Sequence, residues 1–263
     1  MLLVLDLGNT NLTIGLYDGE RLAHQWRLQT ETTRTMDEYG LQLLTLLQHV
    51  GRSPQALRGI CLGSVVPALT EPLVQACLTY LGRSPLLVDA SLKTGLRLGY
   101  EDPRQLGADR IADVVAAYHR YGGPACIIDF GTATTFNALT ADGVYLGGAI
   151  TVGVALAAET LFTRAARLPR IELEWPPSII GRNTVHAMQS GLLFGYLSLV
   201  EGMVARFRQE LGPAMKVIAT GGLAEVIAPA TTVIDTVVPW LTLEGLRLLW
   251  EMNHAEEGRG EGQ

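Results

Sequence analysis

The sequence predicts an α/β protein built from two related halves, and a phrase that occurs twice carries that reading. Val4-Leu5-Asp6-Leu7-Gly8-Asn9-Thr10 opens the chain, and Ile127-Ile128-Asp129-Phe130-Gly131-Thr132-Ala133-Thr134-Thr135 returns 123 positions later, aspartate to aspartate. Each copy is an apolar run, then an acid, a glycine, and small hydroxyl or amide side chains. The surroundings repeat as well: Leu16-Tyr17-Asp18-Gly19 follows the first copy and Leu139-Thr140-Ala141-Asp142-Gly143 the second. Two halves, each presenting an Asp-x-Gly turn, predict two lobes with a phosphate-holding cleft between them.

The elements follow in order. Residues 2–5 and 13–17 read as strands flanking the Asp6 turn, and 21–28 as a third strand, with a polar loop at 31–35. Tyr39, Leu43, Leu46, Leu47 and Val50 recur at helical spacing, and Gly51 closes that helix. A strand is expected at 59–66, a helix at 70–81, a strand at 86–88 and a helix at 106–121. The second half repeats the plan with strands at 125–128, 135–139 and 144–150 and a helix at 154–167. A proline-marked loop, a long helix at 185–211, a strand at 216–219 and a closing helix at 243–252 complete it. Thr220-Gly221-Gly222 at the end of that strand answers Gly63-Ser64 in the first half. The expected domains are 1–121 and 122–252, with a polar, Gly-rich flexible tail at 253–263.

Bulk properties bound the function. The chain of 263 residues can bury a real core, and 17% charged with 48% hydrophobic residues is a globular balance. A net charge of −6 speaks against a general nucleic-acid surface, so an anionic ligand would be held by local backbone amides. Cys61, Cys77 and Cys126 are scattered in apolar contexts and read as buried thiols of a reducing cytosol. The uncharged stretch 143–158 is too short to span a bilayer, and the first residues enter a strand without a basic leader. The expectation is a cytoplasmic protein with neither membrane nor nucleic-acid partner.

Several motifs carry chemistry. A glycine after a strand lets the backbone approach an oxygen-rich ligand, and amide N–H groups with the hydroxyls of Thr10, Thr132, Thr134 and Thr135 can donate to phosphate. An aspartate at a strand tip suits a hard cation. Tight hairpin turns with Asp as turn former would also produce one such phrase, whereas two copies in register favour the ligand site. In Gly107-Ala108-Asp109-Arg110, the face Ile111, Val114, Val115, Tyr118 is apolar and Asp109 lies off it near a helix start. There the helix favours an ionised carboxylate, which can take a proton from an attacking hydroxyl or simply cap the helix. Asp113 is read as a supporting residue, paired with Arg110 or facing the cleft. Thr220-Gly221-Gly222 suits a base or ribose against the backbone, and Thr184 of Gly181-Arg182-Asn183-Thr184 reads most simply as a helix cap. No histidine pair has metal-ligand spacing, and there is no Walker P-loop.

Taken together, these residues resemble the type III pantothenate kinases, a family of the acetate and sugar kinase, Hsp70 and actin superfamily. The matching pieces are Asp6-x-Gly8-Asn9-Thr10-Asn11, Gly107-Ala108-Asp109-Arg110, Asp129-x-Gly131-Thr132-Ala133-Thr134-Thr135, Gly147-Gly148-x-Ile150, Gly181-x-Asn183-Thr184 and Thr220-Gly221-Gly222, in family order from residue 2 to about 250. One departure is Val152-Gly153, where the family usually has Pro-Gly; Val keeps an N–H and leaves φ unfixed.

The resemblance implies a duplicated actin-like ATPase (ribonuclease H-like) fold, two lobes with a central nucleotide cleft. It implies ATP-dependent phosphorylation of pantothenate to 4'-phosphopantothenate, the first step of coenzyme A synthesis. By the same match, ATP lies along Asp6, Leu7, Gly8, Asn9, Thr10, Asn11, Leu12 and Thr13 and at Thr132. Asp109 is implied as the general base, and Tyr100, Gly107, Ala108, Asp109, Arg110 and Thr184 as the pantothenate pocket. Asp129 would hold a monovalent cation, potassium or ammonium, and Asp6 would face the magnesium of ATP. A homodimer is implied, its partner subunit helping to build the pantothenate pocket. Other readings on the same scaffold are another small-molecule kinase of the superfamily, or a nucleotide-dependent switch without an acceptor.

Overall fold

The computed structural model describes residues 1–254, which form two units. Met1–Arg120 and the chain from Leu241 make the first, and Tyr121–Trp240 the second.

The first unit opens with three antiparallel strands, β1 (Leu2–Leu7), β2 (Asn11–Asp18) and β3 (Arg21–Gln29). Helix α1 (Met36–His49) follows, started by a signal in the loop before it. Thr35 Oγ1 accepts from Glu38 N while Glu38 Oε2 accepts from Thr35 N, a reciprocal capping box. The chain then crosses to β4 (Gly59–Ser64), parallel to β1, and to α2 (Pro67–Leu81), which starts on a proline and ends at a left-handed Gly82. Two short strands, β5 (Leu86–Leu87) and β6 (Arg97–Leu98), lead to α3 (Ala108–Tyr121). The sheet order is β3-β2-β1-β4-β5. Tyr39, Leu43 and Leu47 of α1 and Leu69, Leu73 and Ala76 of α2 pack on the leucines of β1 and β2 to form its core.

The second unit repeats the scheme. Antiparallel β7 (Ala125–Phe130), β8 (Ala133–Leu139) and β9 (Val144–Val152) are followed by α4 (Val154–Arg164) and the long α5 (Thr184–Leu211). Strand β10 (Lys216–Thr220) pairs parallel with β7; α6 (Ala224–Ile227) and β11 (Thr236–Val237) follow. Its own five strands run β9-β8-β7-β10-β11, which matches β3-β2-β1-β4-β5 of the first sheet element for element. Ile128, Phe130, Phe136, Leu193, Tyr196 and Val200 lie in its core.

The last helix, α7 (Leu241–His254), differs from expectation. It belongs to the first unit rather than to the second. The reason is local: a Cβ at Gly15 would lie 3.1 Å from Leu243, one at Gly63 would lie 3.0 Å from Leu246, and one at Gly59 would meet the Trp250 ring. Glycines on β2 and β4 thus open a bed for the apolar face of α7. Asn253 and His254 are helical, contrary to the expected tail, whose remaining residues lie outside the described ones. Helix α4 stops at Arg164, three residues short of the expected end, and the sequence reading missed β6, α6 and β11.

Candidate active site

The two Asp-x-Gly phrases form the same hairpin. In β1 and β7 alike, the aspartate is the fifth residue of six and the one partly exposed position in an otherwise buried strand. A threonine stands across from each: Asp6 pairs with Thr13 and Asp129 with Thr135. On the parallel side, Asp6 pairs with Gly63 and Asp129 with Thr220.

At the first turn, Gly8 N donates to Asn11 O at 3.0 Å, and a Cβ on Gly8 would lie 3.2 Å from that oxygen. Thr30, just beyond β3, braces the turn from outside. Its hydroxyl donates to Gly8 O at 2.7 Å and its N–H to Thr10 O at 2.9 Å. With those two carbonyls engaged, Asn9 and Thr10 stay exposed at the tip. Leu7 and Leu12 bury their side chains completely, so only their main chain is available to a ligand. Thr30 was not expected; its signal was a lone hydroxyl directly after an alternating strand.

Asp109 is the second residue of α3, and its Oδ1 accepts from Arg110 N at 2.7 Å. Gly107 leaves room for that carboxylate, because a Cβ there would collide with Asp109 Oδ1 and lie 3.3 Å from Val65 Cγ1. Ala108 lies 3.5 Å from where a Gly63 Cβ would stand, and Gly63 is the register partner of Asp6. The start of α3 is therefore anchored beside the strand end that carries Asp6. Burial raises the Asp109 pKa above the ordinary carboxylate value; the Arg110 N–H, the Arg110 charge and its own N–H act the other way. The helix start alone was expected to favour the ionised form, but loss of water outweighs it.

Tyr100 and Arg110, expected in one pocket, are neighbours. The Arg110 guanidinium lies 6.0 Å from the Tyr100 ring centroid, and the arginine is buried. Asp113 is 1% exposed and accepts from Thr242 Oγ1 at 2.7 Å, which ties α3 to α7.

At the second turn, Gly221 sits at φ +89° directly after β10, where a Cβ would collide with Asp129 Oδ1 and come within 2.6 Å of Phe130 N. This glycine makes room for the Asp129 carboxylate. Gly153 N donates to Thr132 O at 3.0 Å, and Thr132 itself is exposed. Thr134 and Thr135, read as possible phosphate donors, are instead buried. Thr134 Oγ1 contacts Tyr196 Oη, whose pKa is pushed up to about 12 by burial first, and also by the nearby Asp129 charge. Thr135 Oγ1 accepts from Asn137. The cap of α5 is Asn183, whose Oδ1 accepts from His186 N at 2.8 Å, and not Thr184, which is the first helical residue and exposed. The structure thus gathers Asp6, Gly8 and the Asp109 helix start in the first unit, and Asp129 with Gly221 in the second. Among the described residues, no three His, Cys, Asp or Glu side chains gather to hold a metal ion.

The family profile of type III pantothenate kinase matches residues 2–206. The chain belongs to the type III pantothenate kinase family. Its activity is accordingly ATP-dependent phosphorylation of pantothenate in coenzyme A biosynthesis. A relative of that name from Roseiflexus sp. strain RS-1 is 52% identical over 97% of this chain and 100% of its own. Among solved structures, a Baf family transcriptional activator from Campylobacter jejuni aligns with a TM-score of 0.62 at 20% identity, over 97% of this chain and 98% of its own. An inorganic polyphosphate/ATP-glucomannokinase from Arthrobacter sp. strain KM gives 0.51 at 15% identity, over 94% and 96%. At those identities the likeness shows the fold alone, which is the actin-like fold of sugar kinases.

Proposed function

We propose that Asp109 is the general base of this kinase. Oxygen of the pantothenate primary hydroxyl attacks the γ-phosphorus of ATP, the bond to the bridging oxygen of ADP breaks, and the hydroxyl proton passes to the Asp109 carboxylate. The observation that carries this reading is a partly buried carboxylate of raised pKa at the start of α3, beside the strand end that bears Asp6. A base whose pKa lies nearer the working pH accepts a proton more readily. Because the transfer is loose, orientation and charge neutralisation do most of the work.

Asp6, Leu7, Gly8, Asn9, Thr10, Asn11, Leu12 and Thr13 supply amides, hydroxyls and amide side chains for the ATP phosphates, and Thr132 adds an exposed hydroxyl. A lone partly exposed carboxylate at Asp6 fits magnesium, which is bound largely by substrate phosphates and water. Asp129 fits a monovalent cation such as potassium or ammonium, because it is a partly exposed carboxylate at a strand end and hard cations take oxygen ligands. A bound monovalent ion would supply positive charge near the phosphates. Arg110 and Tyr100, with Gly107, Ala108 and Thr184, serve the pantothenate anion.

The protein works as a homodimer in the cytoplasm. Support comes from the second unit, where Ile150, Val152, Leu156, Phe162, Ile179 and Ile180 are exposed, the last at 75%. No helix among the described residues is long and apolar enough to cross a membrane.

The deciding experiment is phosphorylation of radiolabelled pantothenate by the parent and by Asp109→Asn, in potassium and again in sodium. The variant should lose about 10²–10⁴ in turnover while still binding ATP and pantothenate. Near-parental turnover would reject the assignment.

A further inference from the structure

The two Asp-x-Gly hairpins share a closing backbone bond and differ by one hydroxyl. Directly after β3, Thr30 N donates to Thr10 O at 2.9 Å; directly after β9, Gly153 N donates to Thr132 O at 3.0 Å. The registers make Thr30 and Gly153 counterparts, since Asn11 pairs with Gln29 and Ala133 with Val152. Of the two, Thr30 alone carries a side chain. Its Oγ1 donates to Gly8 O at 2.7 Å, and the residue is half-buried. At the second hairpin, a Cβ on Gly153 would collide with Gly131 O and Thr132 O, so no side chain fits.

The hydroxyl acts on a peptide plane. The Gly8–Asn9 bond is trans, and in a planar trans peptide the N–H points opposite to the C=O. Holding Gly8 O against Thr30 therefore turns the Asn9 N–H to the far side of the loop, and Asn9 is exposed. Backbone donors already fixed in direction stabilise an oxyanion without having to reorganise when it arrives. A loop that its ligand must first order binds that ligand more weakly. The closing bond from the strand end is common to both hairpins, so the Thr30 hydroxyl is what the first one adds.

We propose that Thr30 is a positioning residue for phosphoryl transfer, its hydroxyl setting the Gly8–Asn9 peptide so that the Asn9 N–H donates to the ATP phosphates. The proposal deepens the placement of ATP along Asp6 to Thr13 and rests on it. Thr30 acts through the loop rather than on the substrates. The hairpin that carries Asp129, with Gly153 in the equivalent place, keeps the closing bond and lacks this control.

The test compares the parent with Thr30→Val, Thr30→Ser and Asn9→Pro, the last of which deletes the turned N–H. Three quantities are read: the Kd of ATP, the KM for pantothenate, and the melting temperature without ligand. Thr30→Val keeps the backbone N–H and the size of the side chain and loses the hydroxyl. It should raise the Kd of ATP about tenfold, the size expected for one hydrogen bond to a charged group, and leave the pantothenate KM within about twofold. Thr30→Ser should restore the ATP value. Should Thr30→Val fail to fold, Thr30→Ala carries the test with the same expected split. A lower melting temperature with a parental Kd of ATP, or an equal rise in both constants, would make the hydroxyl merely structural and overturn the proposal. A raised Kd in Asn9→Pro beside a parental one in Thr30→Val also overturns it, and spares the placement of ATP at this turn. A parental Kd in Asn9→Pro overturns both. If Asn9→Pro does not fold, Gly8→Ala takes its place, since its methyl would lie 3.2 Å from Asn11 O and disturb the same peptide.

Discussion

The two Asp-x-Gly hairpins share strand order, register and burial, yet they are braced by different means. The first encloses four residues between Leu7 and Leu12 and is held from outside by Thr30, which leaves Asn9 and Thr10 open at the tip. The second encloses three between Phe130 and Thr134 and is held from behind by buried hydroxyls and an amide. Glycine is also spent differently. Gly63 stands opposite Asp6 and admits the helices α3 and α7. Opposite Asp129 is Thr220, and the glycine comes one residue later, at Gly221, to admit the carboxylate itself. The repeated backbone therefore fixes where each acid stands, and the surroundings differ: an exposed loop tip braced from outside in one unit, a carboxylate packed against Gly221 in the other.

The largest effect that separates the halves should come from Gly221→Ala. A left-handed non-glycine residue costs about 1–2 kcal/mol and overpacking about 1–3 more, so a stability loss of about 3 kcal/mol is expected in denaturant unfolding, along with loss of the potassium response. Ser64→Ala at the matching place in the first unit removes only hydroxyl contacts with Thr70 Oγ1 and Val66 N, and should cost about 1 kcal/mol with turnover kept. Equal losses at the two positions would break the comparison.

A smaller effect concerns the first unit alone. Because burial raises the folded-state pKa of Asp109, its contribution to stability is fully present at pH below the unfolded-state value and is lost as pH rises through the folded one. Asp109→Asn should therefore melt above the parent at pH 7, and the gain should vanish near pH 3.5. The same shift puts the acid limb of kcat/KM for the parent above the ordinary carboxylate range. A variant that melts below the parent at neutral pH would contradict the burial argument.

Smallest, and equal in the two units, should be the helix caps. Thr35→Ala and Asn183→Ala each remove one capping side chain and should cost about 1 kcal/mol by thermal unfolding. A much larger loss of activity than of stability for Asn183→Ala alone would point to a substrate contact at the start of α5.

Much of this was legible in the residues. The duplicated phrase located both aspartates on strand ends, and the apolar face of Ile111, Val114 and Val115 located α3 with Asp109 at its start. Long-range packing was not legible. That α7 folds back onto the first unit depends on Gly15, Gly59 and Gly63 lying in its path, and a glycine in a strand does not announce its neighbour. Thr134 and Thr135 follow a glycine turn just as phosphate donors do, but their strand is covered on both faces, so their hydroxyls turn inward. Asn183 and Thr184 are both good caps by type, and only the backbone angles at the helix start choose between them. The pKa of Asp109 was misjudged in sign because a helix terminus is visible in sequence and burial is not.

The claim that one frame serves two cations is tested most directly by crossed titrations of Asp6→Asn and Asp129→Asn, with magnesium varied at fixed potassium and potassium varied at fixed magnesium. Asp6→Asn should raise the magnesium requirement and leave the potassium requirement in place, and Asp129→Asn should do the reverse. If both substitutions shift the same ion, or if the potassium response follows Asp6, the division of labour between the two hairpins is wrong.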